Sequence, residues 1–367
     1  MTPRKIRIVS LSAFGLLLNL GCSEDALAPS SEKKGATPAA LASVAFPSGT
    51  WTAMALMPEM AWRSELAAGV VEAAGQSTVY VLGGRFKQSP TDLPASTILA
   101  YDVARNSWTT KAARFTGANT NGVGTIKGKL YISGGAEFIG GEWKPASSKL
   151  FVYDPATDRL VRKADMPTPS FGGVTGVING KLYVLVNRPC IYQLVYLCSS
   201  FFYRYDPITN AWTSLPPGIN HAPNAAGVVL DGKFYVAGGN HPPSAYRSFS
   251  VYDPMTNEWR LLGRMPPRRQ FAVGAAAAGK VYVIGIEGTD PFQGADRNTV
   301  AYHPGTNTWR NKGPYPGPQG EDGQFLLRPS AAVRVLLGGS AHILALGSGH
   351  FSPDGTITRA PPYIYAP

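Results

Sequence analysis

Short apolar and aromatic runs punctuate the chain, each closed by small residues. Val79-Tyr80-Val81-Leu82-Gly83-Gly84, Leu130-Tyr131-Ile132-Ser133-Gly134-Gly135 and Phe234-Tyr235-Val236-Ala237-Gly238-Gly239 are the clearest copies. Runs of this length and composition predict strands, and paired glycines mark a strand end where another backbone comes close or φ is positive. Ahead of each run lies a second apolar segment and a Gly-Lys turn, as in Gly176-Val177-Ile178-Asn179-Gly180-Lys181 and Gly227-Val228-Val229-Leu230-Asp231-Gly232-Lys233. Asn-Gly and Asp-Gly are strong hairpin signals, so each unit opens with two antiparallel strands. No long helical periodicity is visible.

Behind each run a second phrase recurs: Tyr101-Asp102-Val103, Tyr153-Asp154-Pro155, Tyr205-Asp206-Pro207, Tyr252-Asp253-Pro254 and Tyr302-His303-Pro304. A large apolar residue stands seven places after each Tyr, namely Trp108, Leu160, Trp212, Trp259 and Trp309. A period of about 50 residues marks a repeat architecture. Asp accepts bonds from nearby amides, Pro presets φ and Asn tolerates the left-handed region, so the phrase is a turn joining two further strands. The Trp is large and apolar enough to be buried between adjacent sheets, and Met57-Pro58, Met166-Pro167 and Met265-Pro266 close their units. Each repeat therefore predicts a four-stranded sheet.

The Gly-Gly doublet, Tyr and Trp together resemble the kelch repeat, whose copies form the blades of a β-propeller. The resemblance runs from about Gly49 to the C-terminus and implies an all-β fold. Val186-Asn187 and Gly285-Ile286 replace doublets, Leu160 replaces a Trp and His303 replaces an Asp. Thr50 to Pro58 reads as the last strand of a blade without its first three. Ile343 to Ser348 and Tyr363 to Pro367 read as a blade lacking its last. Joined, they make a sixth blade, so the expectation over 49–367 is a six-bladed kelch β-propeller closed by its N-terminal strand. At 367 residues the chain is long enough for two ordinary domains, but a closed propeller uses that length as one body.

Arg4, Lys5 and Arg7 followed by Ile8 to Leu20 form a charged and then apolar stretch that predicts a secretory signal over 1–21. Leu20-Gly21-Cys22 resembles the lipobox of bacterial lipoproteins, with Asn19 where that family prefers Leu. The resemblance implies acylation of Cys22 and an exported, membrane-anchored protein facing the periplasm or the cell surface; ordinary cleavage after small residues is the alternative. Residues 22–48 then carry the lipidated Cys and a tether rich in Ser, Ala, Pro and Lys. Cys190 and Cys198 remain, in an insertion of the third repeat. A disulfide closing that loop is expected in an oxidising compartment; a redox pair lacks the Cys-x-x-Cys spacing.

The formal net charge is +11, or about +8 once the three signal-segment cations are removed. A basic surface suits a protein or an anionic glycan as partner, although cations spread over loops also serve simple solvation. Nucleic acid is not expected for an exported chain without a run of Lys and Arg interleaved with aromatics. A monomer is expected.

Residues leading into the innermost strands would line one mouth of the central channel. The candidates are Arg63, Ser64 and Glu65, then Arg114, Asn119 and Asn121, Ser170, His221 and Asn224, and Arg268, Arg269 and Gln270. Arg63, Arg114 and Arg269 precede three Gly-rich strands at similar distances, so their convergence on a carboxylate or sulfate is one expectation and packing at blade junctions the other. Arg63-Ser64-Glu65 resembles a stretch in bacterial kelch proteins that include periplasmic sialic-acid mutarotases. That resemblance implies Glu65 as acid or base and Arg63 facing a sugar carboxylate. The five His residues (His221, His241, His303, His342 and His350) are scattered singly and Glu287 and Asp290 stand as a pair without a following His, so no metal and no cofactor is expected. The leading expectation is a binding module for protein or glycan; the rival is a sugar-acid epimerase or mutarotase.

Overall fold

Each repeat begins with a hairpin whose turn the sequence dictates. In the computed structural model, Asn179-Gly180 and Asp231-Gly232 both sit at positive φ through their two turn residues (49° and 70°, 50° and 70°). That is the I′ geometry that matches the twist of the flanking strands. Ala74-Gly75, Lys127-Gly128, Ala278-Gly279 and Gly338-Gly339 adopt it too. The structure describes residues 46–58, 63–86, 93–144, 146–187, 200–219, 223–239, 247–266, 268–286, 297–317, 329–347, 349–351 and 357–367. Cys22, Cys190, Cys198, His221, His241, Glu287 and Asp290 lie outside them.

The described residues form six four-stranded antiparallel sheets. Five are consecutive in the chain and have their first strands at Ala67–Ala73, Val123–Ile126, Val174–Ile178, Ala226–Leu230 and Gln270–Ala277, and their outer strands at Ser107–Arg114, Arg159–Lys163, Ala211–Leu215, Glu258–Arg264 and Thr308–Pro314. The sixth joins both ends of the described chain. Its strands Ala331–Leu337, Ser340–Leu346 and Tyr363–Tyr365 are completed by Trp51–Ala53, with Trp51 opposite Tyr365 and Ala53 opposite Tyr363. Two apolar faces per sheet must be covered, and each is covered by a neighbouring sheet. Six buried clusters fill the six junctions, the last between the fifth sheet's Tyr282 and Ala301 and the sixth sheet's Ile343 and Tyr365, and the first between the sixth sheet's Leu344 and the first sheet's Val79. The first strands touch in cyclic order, which makes them innermost in a closed β-propeller.

The recurring phrase has a definite structural reason. The Tyr hydroxyl donates to the side-chain oxygen five residues on: Tyr101 to Asn106 (2.5 Å), Tyr205 to Asn210 (2.6 Å) and Tyr252 to Asn257 (2.7 Å). Each acceptor residue sits at positive φ, between 50° and 58°, where Asn is tolerated. Burial pushes the phenols of Tyr205 and Tyr252 up to about 12, so they remain donors at any ordinary pH. The Trp then reaches across the junction. Trp212 Nε1 donates to Ala164 O and Trp259 Nε1 to Pro216 O, each on the segment leaving the previous sheet's outer strand. Trp108 makes the same bond to Ala55 O at 2.8 Å, just beyond the N-terminal strand. That strand thus occupies the position held elsewhere by a sheet's own fourth strand.

The Gly-Lys of the hairpin turn also has a partner. Lys129, Lys181 and Lys233 pair with the phrase's Asp154, Asp206 and Asp253 at 2.7, 3.0 and 2.6 Å. One recurring feature lies outside the motif. Gly69, Gly124, Gly176, Gly227 and Gly274 stand in five innermost strands, where an added Cβ would come within 2.2 to 2.7 Å of a side chain on an adjacent sheet. Only glycine admits that approach around the axis.

Candidate functional site

The two ends of the sheets are unequal. At one end the connections are the two-residue hairpin turns and the short Tyr-Asp-Pro turns. At the other end, among the described residues, are parts of the longer connections between second and third strands, residues 83–86, 93–96, 134–144, 146–149 and 357–362, together with the segments leading into each next sheet. Three of these carry added strands: Arg85–Phe86 paired with Arg63–Ser64 and Leu93–Pro94, the hairpin Glu137–Ile139 with Glu142–Lys144, and Gly349–Phe351 with Ile357–Arg359. Binding residues concentrate on such connections when a rigid scaffold holds them.

A belt of backbone hydrogen bonds runs around this end. Asn119 N donates to Glu65 O (2.9 Å), Gly172 N to Asn119 O (2.9 Å), Asn224 N to Gly172 O (2.6 Å) and Ala272 N to Asn224 O (3.0 Å), while Glu65 N donates to Ser330 Oγ (3.1 Å). Five of these residues lie on the segments leading into five of the sheets, and Ala272 lies on the innermost strand of the fifth. Glu65, Asn119, Gly172 and Asn224 all have positive φ, as does Phe271 beside Ala272. Asn and Gly accept that conformation readily; Glu65 and Phe271 hold it at a cost of roughly 1 kcal/mol or more. The sequence brought Glu65, Asn119 and Asn224 forward as mouth residues, and the belt does bring them to one ring.

The arginines behave differently. Arg63 is 1% exposed: its Nε donates to Gly83 O (2.6 Å) and its Nη2 to Thr97 O (2.6 Å). Arg269 is fully buried, with Nη2 on Asn298 O and Nη1 on Arg268 O. Thr97 and Asn298 each open the third strand of their sheet, so both guanidiniums brace the lead-in segment against its own sheet. Arg114 ends an outer strand, where its Nη1 donates to the carbonyls of Lys111, Ala112 and Ala113. Of the two expectations for these arginines, convergence on one ligand gives way to packing: Arg63 and Arg269 are enclosed by backbone carbonyls, and Arg114 is bonded to carbonyls of its own outer strand. Asn121 is fully buried as well, donating to Ser170 Oγ (2.8 Å) and accepting from Gly173 N (3.0 Å). Ser64 and Ser170 are buried and Arg268 is exposed. Gln270 begins the innermost strand of the fifth sheet, opposite Ile286. His342 is buried edge-on against Phe46.

Glu65 is paired with an arginine from the connection that follows the second strand of its own sheet. Its carboxylate lies 2.8 Å from Arg85 Nε, an ion pair whose angle falls short of a hydrogen bond. The same guanidinium carbon stands 4.0 Å from the ring centre of Trp143. Trp143 is held in turn by Phe138 across its hairpin, edge-on at 5.3 Å, and the hairpin is anchored by the ion pair of Lys149 with Glu137. Arg85 is thus gripped between an acid and an indole, with part of its surface open to solvent. Neither Arg85 nor Trp143 occupies a repeat position, and the only sequence signal for them was the Gly140-Gly141 turn that bends Trp143 back. Among the described residues no group of three His, Cys, Asp or Glu stands close enough to hold a metal ion.

Comparison with known proteins adds to this geometry. The Kelch motif family matches residues 221–266 and, through a second such motif, residues 121–167. The human Kelch repeat and BTB domain-containing protein 12 is 30% identical over 183 residues, 44% of this chain and 28% of the human protein. Kelch-like protein 38 of Danio rerio is 29% identical over 142 residues, covering 39% and 22%, and Kelch-like protein terF of Aspergillus terreus is 28% identical over 167 residues, covering 44% and 36%. The chain spans well under half the length of each. The two matched segments bracket the second and fourth sheets, each with its doublet, Tyr and outer strand in place, so the chain carries kelch repeats within its set of recurring Tyr phrases.

Proposed function

We propose that this chain is a binding propeller that presents its loop-bearing end to a protein or an anionic glycan, held at the bacterial envelope through a lipid on Cys22. The observation that supports it best is Arg85, pinned between Glu65 and Trp143 on the end where the long connections gather. A preorganised guanidinium beside a half-buried indole recognises carboxylates, and little side-chain entropy remains to be lost on binding. The epimerase reading needs Arg63 as the group facing a sugar carboxylate. With Arg63 enclosed by Gly83 and Thr97, the binding reading is favoured.

The test is a screen of the intact chain against peptide and anionic-glycan arrays, followed by titration of each hit. Saturable binding should weaken at least tenfold in Arg85→Ala and in Trp143→Ala. It should not change in Met255→Ser, which removes a side chain 88% exposed on a short turn at the opposite end. Equal affinity of Arg85→Ala and the unaltered chain would overturn this assignment of the face. Turnover of a bound sugar acid that is lost in Glu65→Gln would favour the epimerase instead.

A further inference from the structure

We propose that the turn end of the fifth sheet holds a site for a tetrahedral oxyanion, a phosphate or sulfate group, at the place where other repeats hold a Lys–Asp ion pair. In the second, third and fourth sheets the Lys after the hairpin Gly meets the Asp after the repeat Tyr: Lys129 with Asp154, Lys181 with Asp206, Lys233 with Asp253. In the fifth sheet the equivalent positions are Lys280 and His303, which flank the paired residues Val281 and Tyr302. The carboxylate is gone and the lysine is retained.

What surrounds Lys280 makes the difference chemical. A pocket at this end is lined by Lys280, His303, Thr306, Thr308, Arg310 and Lys312. Thr308, Arg310 and Lys312 alternate along the outer strand, so they share one face of it. No Asp or Glu occurs among the described residues of the fifth and sixth sheets, 268–286, 297–317, 46–58, 329–347 and 357–367, and so none there can neutralise these cations. Three like charges around one hollow repel one another, and a multiply charged anion relieves that repulsion while accepting charge-assisted hydrogen bonds from all three. The threonine hydroxyls lie 2.7 Å apart and share one proton between them, which leaves the second proton to be donated to a ligand oxygen. This end lies opposite the loop-bearing one, so the site is independent of the binding face proposed above.

The test restores the missing acid. His303→Asp recreates the sequence of the neighbouring repeats, in which the Asp both pairs with the Lys and accepts the amide two residues on, as Asp253 does from Met255. The variant is therefore expected to fold, with a thermal midpoint at or above that of the unaltered chain. Sodium phosphate and sodium sulfate are titrated calorimetrically into the intact chain, with sodium chloride at matched ionic strength as reference. Saturable binding of either oxyanion is expected, weakened at least tenfold in His303→Asp and in Arg310→Ala; the tighter of the two identifies the ester class to pursue. Absence of saturable binding by both ions, or equal binding by the folded His303→Asp chain, would overturn the site.

Discussion

Closure of the ring by the N-terminal strand can be tested with two substitutions two residues apart. Met54 is 6% exposed and packs into the cluster between the sixth and first sheets, whereas Leu56 is 41% exposed. The backbone around them is fixed at three points: Met54 N donates to Pro362 O (2.8 Å), Ala55 N to Asn106 Oδ1 (2.7 Å), and Ala55 O accepts from Trp108 Nε1 (2.8 Å). With the chain so held, the space left by Met54→Ala cannot collapse easily, and the loss is about 2–5 kcal/mol. Leu56→Ala should lose less than about 1 kcal/mol, as an exposed position does. A cooperative body of about 320 residues has an unfolding entropy near 0.7 kcal/mol/K, so the expected falls in Tm are about 3–7 °C and about 1 °C. Differential scanning calorimetry supplies the midpoints, and urea unfolding with an unchanged m-value checks that native and denatured states are otherwise the same. Equal midpoints for the two variants would mean that residues 51–57 do not dock in the register described, and the closure argument would fail.

Two further outcomes follow from chemistry already described. The carboxyls of Asp154, Asp206 and Asp253 are each held below the usual 3.8, first by the hydrogen bond from the paired Lys. A depressed folded-state pKa means the contribution is complete above the unfolded value and is lost as pH falls through the folded one. Stability of the unaltered chain should therefore decline more steeply below about pH 4 than that of the triple Asp→Asn variant, measured by urea midpoints from pH 6 to pH 3; parallel curves would remove these pairs from the acid response. For the proposed anchor, Cys22→Ser in the expressing bacterium should shift the protein from the detergent phase to the aqueous phase on detergent partitioning, and continued membrane association of that variant would refute lipidation.

The architecture was legible because its signals are local. Asn179-Gly180 needs nothing beyond its own two residues to specify a I′ turn, and Tyr252 finds Asn257 within the same turn. The junction role of Trp was legible from size and period. What was not legible was direction. Arg63 and Arg114 precede their glycine-rich strands at similar distances, yet one is enclosed by Gly83 and Thr97 while the other ends an outer strand in solvent. Sequence separation does not record which side of the lead-in segment faces the axis, so the three arginines looked equivalent. The pairing of Glu65 with Arg85 and Trp143 was hidden for a different reason: it joins three segments whose mutual approach depends on the docking of two sheets.

That contrast gives a rule for locating function in this chain. A residue that recurs from repeat to repeat is explained by the repeat, as with the Tyr-to-Asn bond, the Trp bond across the junction and the Lys–Asp pair. Function has to come from positions that break the symmetry, because a ring of equivalent blades offers no preferred place for an asymmetric ligand. Three breaks stand out among the described residues. Arg85 and Trp143 add a cation and an indole to the loop-bearing end, and Glu65 holds a left-handed backbone where Asn119, Gly172 and Asn224 hold it more cheaply. At the opposite end His303 replaces an acid and leaves Lys280 beside Arg310 and Lys312. Glu65 adds backbone strain and His303 gives up an ion pair that neighbouring repeats keep, whereas Arg85 and Trp143 add contacts that lie outside the repeat pattern. Such local costs persist where a ligand uses them, so substitutions at Glu65, Arg85, Trp143 and His303 should alter binding more than stability, the reverse of substitutions at Tyr205 or Trp212.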